Sequence, residues 1–528
     1  MSRIILTADE TLMTEYGGAS FLGFILCAPR RILPNFLVKY IICPRPRMKN
    51  GEVLAPPYSL RKVEASLVHS GYSKNDIKFI HPSKLSEAVS EETKIIGVDA
   101  VDPMGRAPVS WTLRHLLGGG APATQLAFLS LMKEIKALKE KYNFKVILGG
   151  PGAWQVTDRE AELLGIDVRY YGQAEVTLPE IVDKLIKGES VPPVVKAHPP
   201  KPDQIYPILG PARCGFVQIT EGCGRGCQFC GPTQVPWRSI PLDIVLKEAK
   251  MSVAVGEKNL YLLSEDWLRY GAKGFRELNL NALTKLLQAL RGLPGVDKIV
   301  STHVNFSTMK LAGEKPIEEL NYYMGVNEKE PWIGPQIGLE TGSPRLLEKY
   351  MRGKVLPYTP QEWHEIVVEA CQILKDVHWY PCITMITGLP EETDDDIMLT
   401  LELLDDLKGT PAWFFPLFFI PIGVSALSGE EFFKTYLMNE ARWELVTRSW
   451  KLSAEFALKY IKHVTSGAKA SLTQVFLNKL FSRLSDETLR FIDKIAGQPE
   501  RMLSMLKNVD LTKPGKPLMK ALVSIIAR

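Results

Sequence analysis

An α/β chain built from two blocks of parallel strands and helices, followed by a helical tail, is predicted by three features of the sequence. Short apolar runs alternate with amphipathic stretches from about residue 35 to residue 425. Turn-rich stretches stand where strands end, at 99–105 (DAVDPMG) and 149–153 (GGPGA). Pro192, Pro193, Pro199, Pro200, Pro202 and Pro207 crowd one segment and divide the alternation in two.

The first block reads as strands at 37–43, 76–81, 94–99, 145–149 and 168–171, with helices at 59–70, 125–142 and 178–187. Strands alternating with helices of that length bury both sheet faces, so residues 1–189 are expected to form a Rossmann-like, doubly wound parallel sheet. Ligands of such sheets bind beyond the carboxyl ends of the strands, where the two turn-rich stretches fall. Residues 190–207 are read as a linker.

The second block, 208–427, offers six strands, at 215–220, 259–263, 298–304, 336–340, 382–387 and 412–420. Helices are expected between them at 242–255, 278–290, 316–323, 360–375 and 394–407. Six strand-helix units suggest a partial (β/α)6 barrel of the TIM type, with its site at the carboxyl ends of the strands. Residues 428–528 read as helical.

A composition 45% hydrophobic and 23% charged is that of a globular protein, not a disordered one. Cys27, Cys43, Cys214, Cys371 and Cys382 are scattered singly, which argues for a reduced, cytoplasmic setting over a disulfide framework. No signal-like N-terminus is read, and the most apolar stretch, 413–422 (WFFPLFFIPI), is too short and proline-broken to span a bilayer. From residue 441 onward 16 Lys/Arg stand against 7 Asp/Glu, so the basic character belongs to the tail. No basic patch interleaved with aromatics points to nucleic acid.

Residues 218–231 (QITEGCGRGCQFCG) put Cys223, Cys227 and Cys230 on one glycine-rich loop, with Phe229 before the third. Three thiolates can each take one iron of a 4Fe-4S cluster and leave a fourth iron open to a small molecule. Zinc would want a fourth ligand, and only the distant Cys214 offers one.

That spacing, Phe229 and the strand-like 215–220 before the loop together resemble the signature of the radical S-adenosylmethionine (SAM) enzymes. The resemblance implies that the open iron holds SAM and that one electron cleaves it to a 5'-deoxyadenosyl radical. It also implies cofactor contacts elsewhere in order: Glu265 in 264–266 (SED) toward the SAM amino group, Glu340 and Ser343 in 338–343 (GLETGS) toward the ribose, and Gly388 in 388–393 (GLPEET) toward the adenine. His303 and Asn305, after the third strand, are the candidate substrate-side residues. A ferredoxin- or flavodoxin-like electron donor is implied as partner.

The GGPGA stretch followed by 171–175 (YGQAE) resembles the B12-binding domain that precedes the radical domain in one class of these enzymes. The D-x-H-x-x-G motif that supplies a cobalt ligand in many cobalamin proteins is missing, which weighs against bound cobalamin while leaving it open.

With an apolar sixth strand and a basic tail, the chain is similar to archaeal radical SAM enzymes of tetraether (GDGT) membrane lipids, the ring synthases among them. A hydrophobic lipid substrate and cyclopentane ring formation are then expected. Two basic amphipathic stretches, 472–484 (LTQVFLNKLFSRL) and 517–528, offer peripheral contact with the inner membrane face, or cap the barrel with their apolar sides. Alternatives are headgroup chemistry on the same lipids, a cobalamin-dependent methyltransferase acting at an unactivated carbon, and a non-enzymatic iron-sulfur binding or assembly module.

Overall fold

The computed structural model describes residues 3–18, 20–466 and 486–507. Its chain forms two compact units, one of Met1–Ser110, Ala121–Val217 and Asp243–Glu257, the other of Trp111–Gly120, Gln218–Leu242 and Lys258–Arg528.

The first unit is organised on a parallel sheet in the order Ile77–Phe79, Ile4–Ala8, Ile95–Asp99, Lys145–Gly149, Val168–Tyr171, Val194–Lys196. Successive side chains point to opposite faces. Ile4, Leu6 and Ala8 join Leu60, Leu67, Leu178 and Ile181 in one core. Ile5, Ile96, Val98 and Val146 join Phe128, Met132 and Ile135 in the other. The strand order reverses between Ile4–Ala8 and Ile95–Asp99, which run in register from Ile4↔Ile95 to Ala8↔Asp99. That reversal is the switch point at which such sheets bind ligands.

Two sequence expectations are corrected here. Residues 37–43 are helical, as Asn35–Leu37 and Val38–Ile42, not a strand. Leu37, Val38 and Ile42 are buried while Lys39 and Tyr40 face solvent, a helical period that the continuous apolar run conceals. The strand missing from that expectation is Ile4–Ala8, second in the sheet beside Ile77–Phe79, with every residue buried. The expected linker also contains a strand, since Val194–Lys196 pairs with Val168–Tyr171 from Arg169↔Val194 to Tyr171↔Lys196.

The helix Leu242–Ala254, expected beside the barrel, lies mostly within the first unit. Its Glu248, 1% exposed, accepts hydrogen bonds from the Tyr58 hydroxyl and the Ile208 amide.

The second unit carries a run of parallel strands in sequence order: Phe216–Gln218, Asn259–Leu263, Lys298–Ser301, Trp332–Glu340, Trp379–Thr387 and Trp413–Phe418. The two three-stranded pieces meet at a bridge, His303↔Gln336. Ile337, Leu339, Ile383, Met385, Phe414 and Phe418 form its fully buried face. The last strand is an edge, and its free backbone groups are met by side chains. Thr112 Oγ accepts from Phe418 N (2.8 Å), while Ser453 Oγ accepts from Phe414 N and donates to Phe414 O. Ser453 belongs to the helix Glu440–Ser466. Among the described residues no helix is long and apolar enough to cross a membrane. The amphipathic stretches 472–484 and 517–528 lie outside the described residues.

Candidate functional site

The cysteine loop is closed at its neck. Thr220–Glu221 pairs antiparallel with Arg238–Ser239, and Arg238 makes an ion pair with the buried Glu221. Between them Gly222, Gly224 and Gly226 all take positive φ (64°, 70° and 75°), a conformation that costs glycine little and strains other residues. Gly222 has a second constraint, because a Cβ there would stand 2.2 Å from the Val235 carbonyl oxygen.

Cys227 is buried and Cys223 and Cys230 half-buried. Burial pushes all three thiols up, Cys227 to about 11, while Lys354 draws Cys227 back and Arg225 does the same for Cys223. Among the described residues no three His, Cys, Asp or Glu side chains converge on a single metal ion. Three thiols spread along one loop fit a multi-iron cluster, in which each sulfur takes its own iron.

Buried cations surround this loop. Arg225 bonds Asp266 (2.9 Å) and donates to the carbonyls of Gly353, Lys354 and Leu356. Arg269 donates to the Cys223 carbonyl (2.7 Å), with its guanidinium 4.3 Å from the Trp237 ring centre and 3.9 Å from that of Phe275. Burial lowers Arg269 to about 10. Lys354 bonds Glu340 at 3.0 Å. Burial works to push the Lys354 ammonium down, but Glu340 and Cys227 hold it above the ordinary lysine range.

Of the residues singled out in the sequence, several meet at this place. Glu265 is half-buried and within electrostatic reach of Cys223 and Cys230. Phe229 is half-buried on the loop. Glu340, with φ of 64°, is 8% exposed and turned onto Lys354. Other candidates are occupied with structure. Ser343 is fully buried, caps the helix Pro344–Tyr350 and donates to Asp396. Asn305 caps Phe306–Ala312 by accepting from Ser307 N at 2.8 Å. Gly388 donates its amide to Glu392, and a Cβ on it would stand 2.1 Å from the Phe433 ring. His303 is half-buried, with Nδ1 3.2 Å from the Ser264 carbonyl oxygen.

Sequence reading missed Arg225, Asp266, Arg269 and Lys354. Arg225, Asp266 and Arg269 carried a signal, as charges inside the stretches 222–227 (GCGRGC) and 264–270 (SEDWLRY), whereas Lys354 carried none.

The other face of the barrel sheet is less deeply buried. Gln336, Gly338, Cys382, Thr384, Ile386, Phe415 and Leu417 alternate, half-buried, with the fully buried set. Neighbouring strands bring Gly338, Thr384 and Phe415 into one row and Ile386 and Leu417 into the next. This gives a wall that is polar toward His303 and apolar toward the last strand.

In the first unit, Asp9 and Asp99 end the two switch-point strands and are 4% and 5% exposed. Ser59 donates to Asp99 Oδ2, whereas Asp99 Oδ1 is buried without a hydrogen-bond partner. Gly150 and Gly152 owe their bare Cα atoms to the neighbouring loop, since a Cβ would stand 2.2 Å from Asp99 Oδ1 and 2.2 Å from Val101 O respectively. No histidine ends either switch-point strand. His81, just beyond the neighbouring strand Ile77–Phe79, is turned to Ser83 and lowered by burial to about 4. The strand ends therefore offer cobalt no imidazole ligand, and Asp99 Oδ1 is a buried polar atom there without a partner.

Residues 217–404 match the family model of the Radical SAM superfamily. Curated relatives include the tRNA-2-methylthio-N(6)-dimethylallyladenosine synthase of Fusobacterium nucleatum, 26% identical over 347 residues, or 62% of this chain and 73% of that enzyme. The synthase of the same name from Opitutus terrae is 26% identical over 243 residues, 45% of this chain and 44% of its own. This chain thus spans less than half the length of the Opitutus terrae enzyme.

Among solved structures, the radical SAM methyltransferase TsrM of Kitasatospora setae, with cobalamin and a [4Fe-4S] cluster bound, is similar at a TM-score of 0.53 and 14% identity, over 81% of this chain and 77% of that one. At that identity the likeness concerns the fold. The chain carries a radical SAM domain, preceded by a parallel-sheet unit, in a fold like that of a cobalamin-binding methyltransferase.

Proposed function

We propose that this chain is a radical SAM enzyme that replaces a hydrogen on an unactivated carbon of an apolar substrate with a methyl group. The observation that carries the radical chemistry is the cysteine loop: three thiols on a glycine-turned segment, closed at its neck and surrounded by buried cations. Methyl transfer is favoured over ring closure by the likeness of fold, which extends across both blocks to a methyltransferase that binds cobalamin.

When bound, the cluster supplies the electron that splits SAM, and cobalamin supplies a carrier for the methyl group. The chain's own residues have simpler tasks. Cys223, Cys227 and Cys230 hold the iron. Glu265, half-buried and within electrostatic reach of Cys223 and Cys230, would take the SAM ammonium. Ile386, Phe415 and Leu417 give the substrate an apolar wall and keep water away from a reactive carbon. An external one-electron donor is required.

Ring formation on a tetraether lipid would use the same wall, and the tRNA named for the sequence relatives is a third substrate class. Mass spectrometry after anaerobic turnover with SAM and cobalamin separates them. A gain of one methylene on an apolar substrate supports the proposal. Loss of two hydrogens, or a methylthio group on a tRNA nucleoside, would replace it.

A further inference from the structure

Residues 349–356 are fastened to the cysteine loop by the backbone. The Gln228 amide donates to the Tyr350 carbonyl (2.9 Å), the Gln228 side chain to the Lys349 carbonyl (2.9 Å), and Arg225 to the carbonyls of Gly353, Lys354 and Leu356 (3.1, 2.9 and 3.2 Å). Gly353 permits the contact, because a Cβ there would stand 1.9 Å from Arg225 O. Lys354 is thereby held between the loop and Glu340. Both ends of that pair are buried, at 7% and 8% exposure.

Gly338 leaves room for the pair, since a Cβ there would stand 1.8 Å from Glu340 Oε1 and 2.7 Å from Lys354 Nζ. A buried ion pair is a poor source of stability, since well-packed apolar residues commonly do as well or better. This one has two glycines and a clamped loop arranged around it, which points to a use for its charge. The clamp also sets Lys354 against the segment that carries the cysteines, because Arg225 and Gln228, which bond its backbone and that of Tyr350, flank Cys227 in sequence.

We propose that Lys354, fixed by Glu340 and by Arg225, is a positioning residue that sets how readily a 4Fe-4S cluster on Cys223, Cys227 and Cys230 accepts an electron. The inference rests on the cluster reading of those cysteines. Reduction adds one negative charge from a low-potential one-electron donor and neither forms nor breaks a bond. A fixed ammonium in a poorly solvated site favours the more negative state, and cluster potentials respond to local net charge and burial. The ammonium keeps its proton throughout.

The test is an anaerobic redox titration of the reconstituted full-length protein with dithionite, followed by electron paramagnetic resonance. Lys354→Met is expected to lower the reduction equilibrium constant tenfold or more, which is 59 mV for a one-electron couple. Lys354→Arg keeps it within about threefold, and Glu340→Gln, which leaves the ammonium and removes the opposing charge, raises it. A Lys354→Met protein with a full cluster and an unchanged potential would overturn the proposal. If that variant does not hold iron, Glu340→Gln decides, and an unchanged potential there overturns it equally. Wild-type protein that binds no cluster would defeat the underlying reading instead, before any variant is compared.

Discussion

At Gly338 a single added carbon would reach the charged pair of the site. A methyl group there would occupy the space of Glu340 Oε1, 1.8 Å away, so Gly338→Ala must displace the Glu340–Lys354 pair. We expect it to cost on the order of 1–3 kcal/mol in denaturant unfolding, with retention of the fold. Gly224 and Gly226 act differently: both hold φ near 70° with no Cβ contact under 3 Å, so alanine there strains the loop without a severe clash.

Asp9 offers a pH test in the first unit. Burial raises its carboxyl from 3.8 to about 6, against the hydrogen bonds from Thr11. A folded pKa above the unfolded one means that the folded state binds the proton more tightly. The resulting stability is fully present below about pH 4 and is lost as pH rises through about 6. The fall is on the order of 3 kcal/mol, and Asp9→Asn is expected to flatten it in unfolding curves taken across that range. Residue chemistry of this kind was only partly legible beforehand. The cysteines announced themselves by spacing, whereas Lys354 stands in 350–356 (YMRGKVL) like any surface lysine, because its partner Glu340 comes from a separate strand.

At the scale of elements, the barrel strands were the most legible part. Asn259–Leu263 matched its expected span, and Trp332–Glu340 and Trp379–Thr387 extended theirs. Their β-branched and aromatic runs are bounded by turn residues, and helices of ordinary length separate them. Ile4–Ala8 was overlooked because it begins a few residues into the chain. The run at 37–43 misled because continuous apolarity serves a strand and a buried helix alike. Edge protection was invisible, since Thr112 and Ser453 lie 306 and 39 residues from the amides they satisfy. Thr112→Val leaves the buried Phe418 amide without its acceptor and is expected to destabilise the second unit by about 1–3 kcal/mol. Hydrogen exchange at that amide, faster than in wild type, would show the loss to be local.

For the whole molecule, the order of the parts carries the functional reading. A parallel sheet with its switch point at Asp9 and Asp99 precedes six parallel strands whose first leads into the cysteine loop. The α/β character of both blocks could be read from alternating periodicity. The substrate could not, because an apolar wall of Ile386, Phe415 and Leu417 specifies a class of molecule and not a compound. The central claim is that the three cysteines hold a cluster that cleaves SAM. It is tested most directly by reconstituting the protein anaerobically with iron and sulfide, adding dithionite and SAM, and measuring 5'-deoxyadenosine. Wild-type protein is expected to release it, and a Cys223→Ala, Cys227→Ala, Cys230→Ala triple variant to bind no cluster and release none. A wild-type protein fully loaded with iron that leaves SAM intact would contradict the claim.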